Sequence, residues 1–305
     1  MRFAITGCDR YLGVFEAFLA AGWEPIKLFS VPATNFLDAN ARMVGLAARH
    51  GIDVQLTRIG QDDLRDLQAR GCEALIVASY NWRIGDWRPY LKYAVNFHPS
   101  PLPIARGPYP MVRAILDGHR SWGVSCHKLE HAFDSGDILD AEPFSLSVAE
   151  CHESLNLKLQ MASSRLAYRV AREFSNLWNQ ARPQGPGEYW PAFTVEDRTV
   201  HFSATVEAIL RQLRAFGLLE CYASLTVGQI YIRRAIGWVE AHQLNTGTVA
   251  HINNNTLVIA VKDGYVALLE WGPVSQPASA GVPAGATAAV GTAPGSPAAQ
   301  NPPAN

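Results

Sequence analysis

The chain is poor in several things that would otherwise direct its reading. Its five cysteines (Cys8, Cys72, Cys126, Cys151 and Cys221) include no CxxC pair, which argues against a disulfide framework and a structural zinc site. Charge is sparse and balanced. Charged residues make up 17% of the chain and the formal net charge is −1, so the global balance advertises neither nucleic acid nor an anionic membrane as a partner. No uncharged apolar run approaches the roughly 20 residues a membrane helix needs. The N-terminus, MRFAITGCDR, lacks the charged-then-apolar layout of a secretory signal, and a reducing cytoplasm is the expected location. From Pro273 to Asn305 there is no charged or aromatic residue at all. Such a segment cannot bury enough apolar area to offset its ordering entropy, so 273–305 reads as a disordered Ala/Gly/Pro-rich tail or a linker to a tethered downstream domain.

What is present is an ordinary core-forming composition, 48% hydrophobic over 305 residues, long enough for more than one domain. The first part alternates short apolar β-rich runs (Phe3–Ile5, Ile26–Phe29, Val54–Leu56, Ala74–Val77, Ala94–Phe97) with helical patterns (Leu12–Ala21, Ala39–His50, Asp62–Arg70). That alternation predicts an α/β unit with a mostly parallel sheet covered on both faces. It continues through a helix at Met111–Asp117, strands at Gly123–Leu129 and Ile138–Phe144, and a long helix from Glu153 to Trp178. A Pro/Gly-rich stretch ending at Pro191 marks a linker, taken as 182–194. Beyond it, one helix (Val206–Phe216) and β-rich runs at Gln229–Ile236, Gly247–Ile252, Thr256–Val261 and Tyr265–Trp271 suggest a small β-barrel over 195–272. Their turns carry Asn253-Asn254-Asn255 and Asp263-Gly264.

Chemistry concentrates in NFHPSPLPIARG, from Asn96 to Gly107, and in DSGDIL, from Asp134 to Leu139. Asn96 and His98 stand two apart on a predicted strand and so share a face. They lie at its carboxyl end, where open parallel sheets bind ligands. An amide and an imidazole side by side there are placed to stabilise an oxyanion. Asp134 falls in a glycine-containing loop between two later strands, which can return it to the same place. Singly, each residue is more simply a loop anchor or a turn brace; jointly, they form a pattern.

That pattern, Asn-x-His, a Pro/Ser-Leu-Pro loop and then Asp-x-Gly-Asp, resembles the signature of the folate-dependent formyltransferases: the methionyl-tRNA, glycinamide ribonucleotide, amino-sugar and hydroxyornithine enzymes. Pro101 is a departure, standing where most members have leucine. The resemblance runs from Met1 to about Pro273. It implies a Rossmann-like, doubly wound catalytic domain over 1–181 and an OB-like C-terminal domain over 195–272. It implies 10-formyltetrahydrofolate as the formyl donor and an amine as acceptor, with no metal. It also implies roles: Asn96 and a protonated His98 donate to the oxyanion, and Asp134 keeps His98 charged and relays the amine proton. The folate would lie against Trp82, Arg83, Ile84 and Gly85 after one strand, and against Glu130, His131, Ala132 and Phe133 just before Asp134.

Other chemistries leave weaker marks. His127 to His131 spells H-x-x-E-H, an inverted zinc-peptidase motif that needs both histidines one turn apart on a helix; the preceding Gly-Val-Ser-Cys is poor helix material. Gly7 to Gly13 lacks dinucleotide-binding spacing. A formyl-folate hydrolase would use the same three residues with water as acceptor. Between acceptors, charge decides. From Val195 to Gly272 six Lys/Arg face seven Asp/Glu, a poor clamp for tRNA phosphates. The stretch SVPATNFLDANARM after the second strand, where the tRNA enzymes carry a basic loop, has one arginine. A small amine is expected instead: a nucleotide-linked amino sugar or a hydroxyornithine-like precursor. The apolar and aromatic content of the C-terminal region fits packing against a neighbour, including a second copy in a homodimer.

Overall fold

Strand β1 (Arg2–Gly7) buries nearly every residue, as does the strand Ala74–Ala78, because both lie inside a sheet covered on two faces. The computed structural model describes residues 1–33, 38–226 and 228–274. From β1 the chain passes through α1 (Leu12–Ala20), β2 (Glu24–Phe29), α2 (Ala41–Arg49), β3 (Asp53–Gln55) and α3 (Gln61–Ala69). Next come β4 (Ala74–Ala78), β5 (Tyr93–His98), α4 (Pro110–Leu116), β6 (Ser121–Lys128), β7 (Ile138–Ser145) and α5 (His152–Asn179). Local chemistry sets several of these limits. The Asp63 carboxylate caps the Gly60 N–H at the start of α3, at 2.8 Å. Pro110 opens α4 where its missing N–H costs nothing.

Seven strands form one sheet in the order β3-β2-β1-β4-β5-β6-β7. The pairs from β3 across to β5 are parallel, and β5–β6 and β6–β7 are antiparallel. The mostly parallel, doubly wound expectation therefore holds, and the strand order reverses between β1 and β4. Long α5 covers one face and packs against α1, β6 and β7. Among the described residues no helix is long and apolar enough to cross a membrane.

The C-terminal part holds α6 (Val206–Phe216), β8 (Cys221–Leu225), β9 (Gly228–Val239), β10 (Val249–Asn253), β11 (Thr256–Val261) and β12 (Gly264–Pro273). Its five strands run antiparallel in the order β10-β11-β12-β9-β8. The end strands β10 and β8 form no ladder with one another among the described residues, so the expected barrel is not confirmed. The apolar face is buried instead by α6, whose Val206, Ile209, Leu213 and Phe216 lie against β9 and β12. A helix laid on a sheet solves the same burial problem as closure.

Two expected boundaries move. Strand β12 runs through Pro273, and the Val274 N–H donates to Gln229 O at 3.0 Å; the expected tail from residue 275 onward lies outside the described residues. The expected linker 182–194 is built into the structure. The Arg182 N–H donates to Ile138 O at 2.9 Å, and the Trp190 N–H to Arg106 O at 2.7 Å. The Trp190 ring stacks on Trp122 at 5.8 Å. Trp122 is fully buried and its indole N–H donates to Pro99 O at 2.9 Å, beside the proline-rich loop. We expect Trp122→Ala to lose about 3–5 kcal/mol of unfolding free energy, read from urea denaturation.

Candidate active site

Strand β5 delivers Asn96 and His98, and its antiparallel neighbour supplies the third wall. The β5–β6 register sets Asn96 directly opposite His127 and His98 opposite Ser125. The loop between β6 and β7 then folds Asp134 back over the end of β5. Asp134 takes a left-handed backbone conformation, φ 53°, uncommon for a residue other than glycine.

The Asp134 carboxylate is the hub. Its Oδ1 accepts from Asn96 Nδ2 at 3.2 Å and lies 3.3 Å from His98 Nδ1 and 3.6 Å from His127 Nε2. Its Oδ2 accepts the Gly107 N–H at 2.9 Å. Gly107 can only be glycine: its φ is +106°, and a Cβ there would stand 2.3 Å from Trp190 O. Burial alone would raise the Asp134 carboxyl, but His98, His127 and the Gly107 N–H outweigh it and bring it down to about 2.

His98 is 4% exposed. Its Nε2 donates to Ala105 O at 2.9 Å and its Nδ1 faces Asp134. Burial pushes the imidazole below its ordinary value, against the upward pull of Asp134 and the Ala105 carbonyl. Both ring nitrogens thus face protein acceptors, Ala105 O and the Asp134 carboxylate, and neither points freely toward a substrate.

Residues that were not anticipated complete the network. The His127 Nδ1 is bonded to Lys128 O at 2.8 Å, which leaves Nε2 as an acceptor for Asn96 Nδ2 at 3.1 Å. His127 thus sits on a strand and serves Asn96, and His131 lies beyond in a loop. The H-x-x-E-H histidines do not share a helix, and no group of three or more metal-ligating side chains occurs among the described residues. From the expected linker, Gln184 Nε2 donates to Asp134 O at 2.8 Å and Gly136 O at 2.6 Å. Arg106 in turn holds Gln184 Oε1 with Nε at 3.0 Å and Nη2 at 2.9 Å. Gly136 admits no side chain, since a Cβ would meet Lys128 O at 2.0 Å.

The two segments expected to hold the folate meet beside this network. Arg83 Nη2 donates to His131 O at 2.6 Å, and its guanidinium lies over the Phe133 ring at 5.6 Å. Arg88 pairs with Glu130. Ile84 and Leu129 pack on a common apolar cluster under the loops. The backbone N–H groups of Trp82, Arg83, Ile84 and Gly85, and those of Glu130, His131, Ala132 and Phe133, donate to no protein acceptor among the described residues. Phe133 is exposed beside these loops.

Comparison with known proteins agrees with this architecture. The Formyl transferase family profile matches residues 56–170, and the Formyl transferase C-terminal domain profile matches residues 193–280. The chain belongs to the folate-dependent formyltransferase family. It is 33% identical over 156 residues to methionyl-tRNA formyltransferase of Treponema denticola, covering 50% of this chain and 48% of that protein. It is 26% identical over 174 residues to the enzyme of the same name from Pseudothermotoga lettingae, covering 57% and 58%. The matches thus span about half the length of these relatives. Among solved structures, HypX from Aquifex aeolicus superposes with a TM-score of 0.64 at 17% identity, over 89% of this chain and 44% of that one. An N-formyltransferase from Helicobacter canadensis, in complex with folinic acid and dTDP-3-aminofucose, superposes at 0.62 and 16% identity, over 89% and 99%.

The depressed Asp134 carboxyl gives a pH dependence with a definite sign. Its pKa is lower folded than unfolded, so the stabilisation is present above about pH 4 and is lost as pH falls through about 2. We expect wild type to lose about 2 kcal/mol more than Asp134→Asn between pH 5 and pH 2, measured by denaturant unfolding.

Proposed function

We propose that the chain transfers a formyl group from 10-formyltetrahydrofolate to the amine of a small molecule. The observation that carries this reading is the Asn96–Asp134–His98 network at the carboxyl end of β5, beside the two loops that meet through Arg83 and His131. A flat heterocycle suits the space beside those loops, with Phe133 as an apolar flank. The folate, when bound, supplies a formyl carbon on nitrogen. The chain supplies the charge and proton handling.

Attack by the amine converts the formyl carbon to a tetrahedral centre whose oxygen gains negative charge. Asn96 Nδ2 is the donor for that oxygen. Its present bonds, 3.1 Å to His127 and 3.2 Å to Asp134, are long enough to be exchanged for a charged acceptor, and apo geometries commonly tighten only with substrate. Asp134, ionised before reaction, takes the proton leaving the amine nitrogen. His98 Nδ1, 3.3 Å from Oδ1, then shares it, since a charged ring would have a ready acceptor at each nitrogen. The proton passes on to the folate nitrogen as its bond to the formyl carbon breaks.

Asn96→Ala and Asp134→Asn should each lower kcat by about 10²–10³-fold. The double variant should be far less impaired than the product of the singles, because the two act as one unit. Singles that multiply in the double variant, or turnover near wild type in either, would contradict the shared network. Stopped assays of formyl-folate consumption with a panel of amines provide the measurement.

The preference for a small amine over tRNA rests on how the C-terminal cations are used. Arg233 pairs with Glu220, Arg234 with Glu270, and Arg211 and Arg214 with Glu207. Arg198 turns inward to the carbonyls of Leu219 and Glu220. A phosphate clamp needs several uncommitted cations. Charged initiator tRNA should accordingly be formylated far more slowly than the best small amine at moderate salt. Submicromolar tRNA binding that weakens steeply with salt, together with efficient turnover, would restore tRNA as the acceptor.

A further inference from the structure

The segment from Arg182 to Trp190 is held on the catalytic half by hydrogen bonds, since Trp190 alone of its residues is buried. It is fastened at both ends. Ile138 and Arg182 exchange two main-chain bonds at the start of β7, and Arg106 does the same with Glu188 and Trp190 on either side of Tyr189. Between these fastenings residues 185–189 are exposed, whereas Gln184 turns its side chain inward. Its Nε2 gives one hydrogen to Asp134 O and one to Gly136 O, the two carbonyls that flank Ser135. That main chain sets the direction of the Asp134 carboxylate. Asp134 stands there at φ 53°, a backbone unfavourable for a residue with a Cβ, which persists only where neighbours impose it. The Gln184 amide is such a neighbour.

Arg106 closes a ring. Its guanidinium holds Gln184 Oε1 through both Nε and Nη2, and Nη2 also donates to Gly185 O at 3.1 Å. The planar fork makes this two-bond hold possible, where a lysine would offer a single point of charge. The residue after Arg106 is Gly107, whose N–H donates to Asp134 Oδ2. Contacts therefore run from the Asp134 main chain to Gln184, on to Arg106, along the chain to Gly107, and back to the Asp134 carboxylate. Neither end of the Asp134–Gly107 bond can shift without straining the other side of the ring. Gly187 lets the segment lie this close, since a Cβ there would stand 2.7 Å from Pro103 O and from the Arg106 guanidinium carbon.

Resting on the formyl-transfer reading above, we propose that Gln184 and Arg106 are a pair of positioning residues for Asp134. The pair fixes the carboxylate against the Gly107 N–H and so holds in place the oxygen that takes the amine proton. Neither residue touches substrate. The machinery of the reaction thereby extends into the segment that connects the two halves of the chain, and cutting the ring at either residue slows the chemical step more than it weakens binding.

The test uses the full chain as Gln184→Ala, Arg106→Lys and the double variant, with Asp134→Asn alongside. The first readout needs no acceptor. The stability lost between pH 5 and pH 2 should shrink in Gln184→Ala toward that of Asp134→Asn, because the carboxyl loses its hold on the Gly107 N–H and rises toward its ordinary value. The titratable groups that face Asp134, namely His98 from β5, His127 from β6, Tyr11 from the loop after β1 and Tyr189 from the segment itself, are all retained in these variants. In turnover of 10-formyltetrahydrofolate with the amine selected by the panel above, Gln184→Ala should lower kcat about 10–100-fold, the cost of a small misplacement of a reacting group, with KM for the folate near wild type. The double variant should be no slower than Gln184→Ala, since both substitutions open one ring. If Gln184→Ala does not fold, Gln184→Asn, which withdraws the amide by one methylene, carries the same comparison with Arg106→Lys. An unchanged loss of stability between pH 5 and pH 2, an effect confined to KM, or single effects that multiply in the double variant overturns the positioning pair, and formyl transfer through Asp134 stands if Asp134→Asn is inactive. Wild-type turnover in Asp134→Asn removes the proton-acceptor reading, and the role of the pair with it.

Discussion

A carboxylate can stay ionised inside a protein only if enough donors surround it, and the catalytic half of this chain is arranged around that requirement at Asp134. Its two oxygens draw on Asn96 from β5, on the Gly107 N–H from the proline-rich loop, and on His98 Nδ1 3.3 Å away. Satisfying it goes with the positive φ of Asp134 and the bare Cα of Gly107. Each of these would be a cost or an oddity by itself. Together they hold a buried negative charge ready beside the place where a reacting nitrogen must lose its proton.

The supporting contacts also set what the site can do at rest. Asn96 divides its amide protons between Asp134 and His127, and His98 divides its ring between Asp134 and the Ala105 carbonyl. The polar groups of the site therefore satisfy one another, and substrate must compete for Asn96. That competition favours a group that becomes more negative as the reaction proceeds, because only a charge-bearing oxygen outbids a carboxylate and an imidazole lone pair.

Much of this was legible in the sequence, and the limits have physical causes. Asn96 and His98 could be placed because a strand's two-residue period puts them on one face, and the parallel core could be read from its apolar runs. His127 could not be tied to Asn96 in advance, because their meeting depends on the β5–β6 register, a non-local pairing with no local signal. Gln184 was hidden in a segment whose prolines and glycines read as a plain connection. Closure of the C-terminal sheet could not be read either, because alternating strands look alike whether a helix or another strand covers their apolar face. Strand β8 escaped notice as well, being five residues long and only partly buried.

The stretch from Arg182 to Trp190 has a consequence for how such chains can be recombined. A composition-based cut would fall near residue 181, yet Gln184 braces the loop of Asp134 and Trp190 lies on Trp122. An exchange of C-terminal halves at that point would strip the catalytic half of part of its own scaffolding. A seam that spares these contacts lies after Trp190, nine residues beyond the cut suggested by composition.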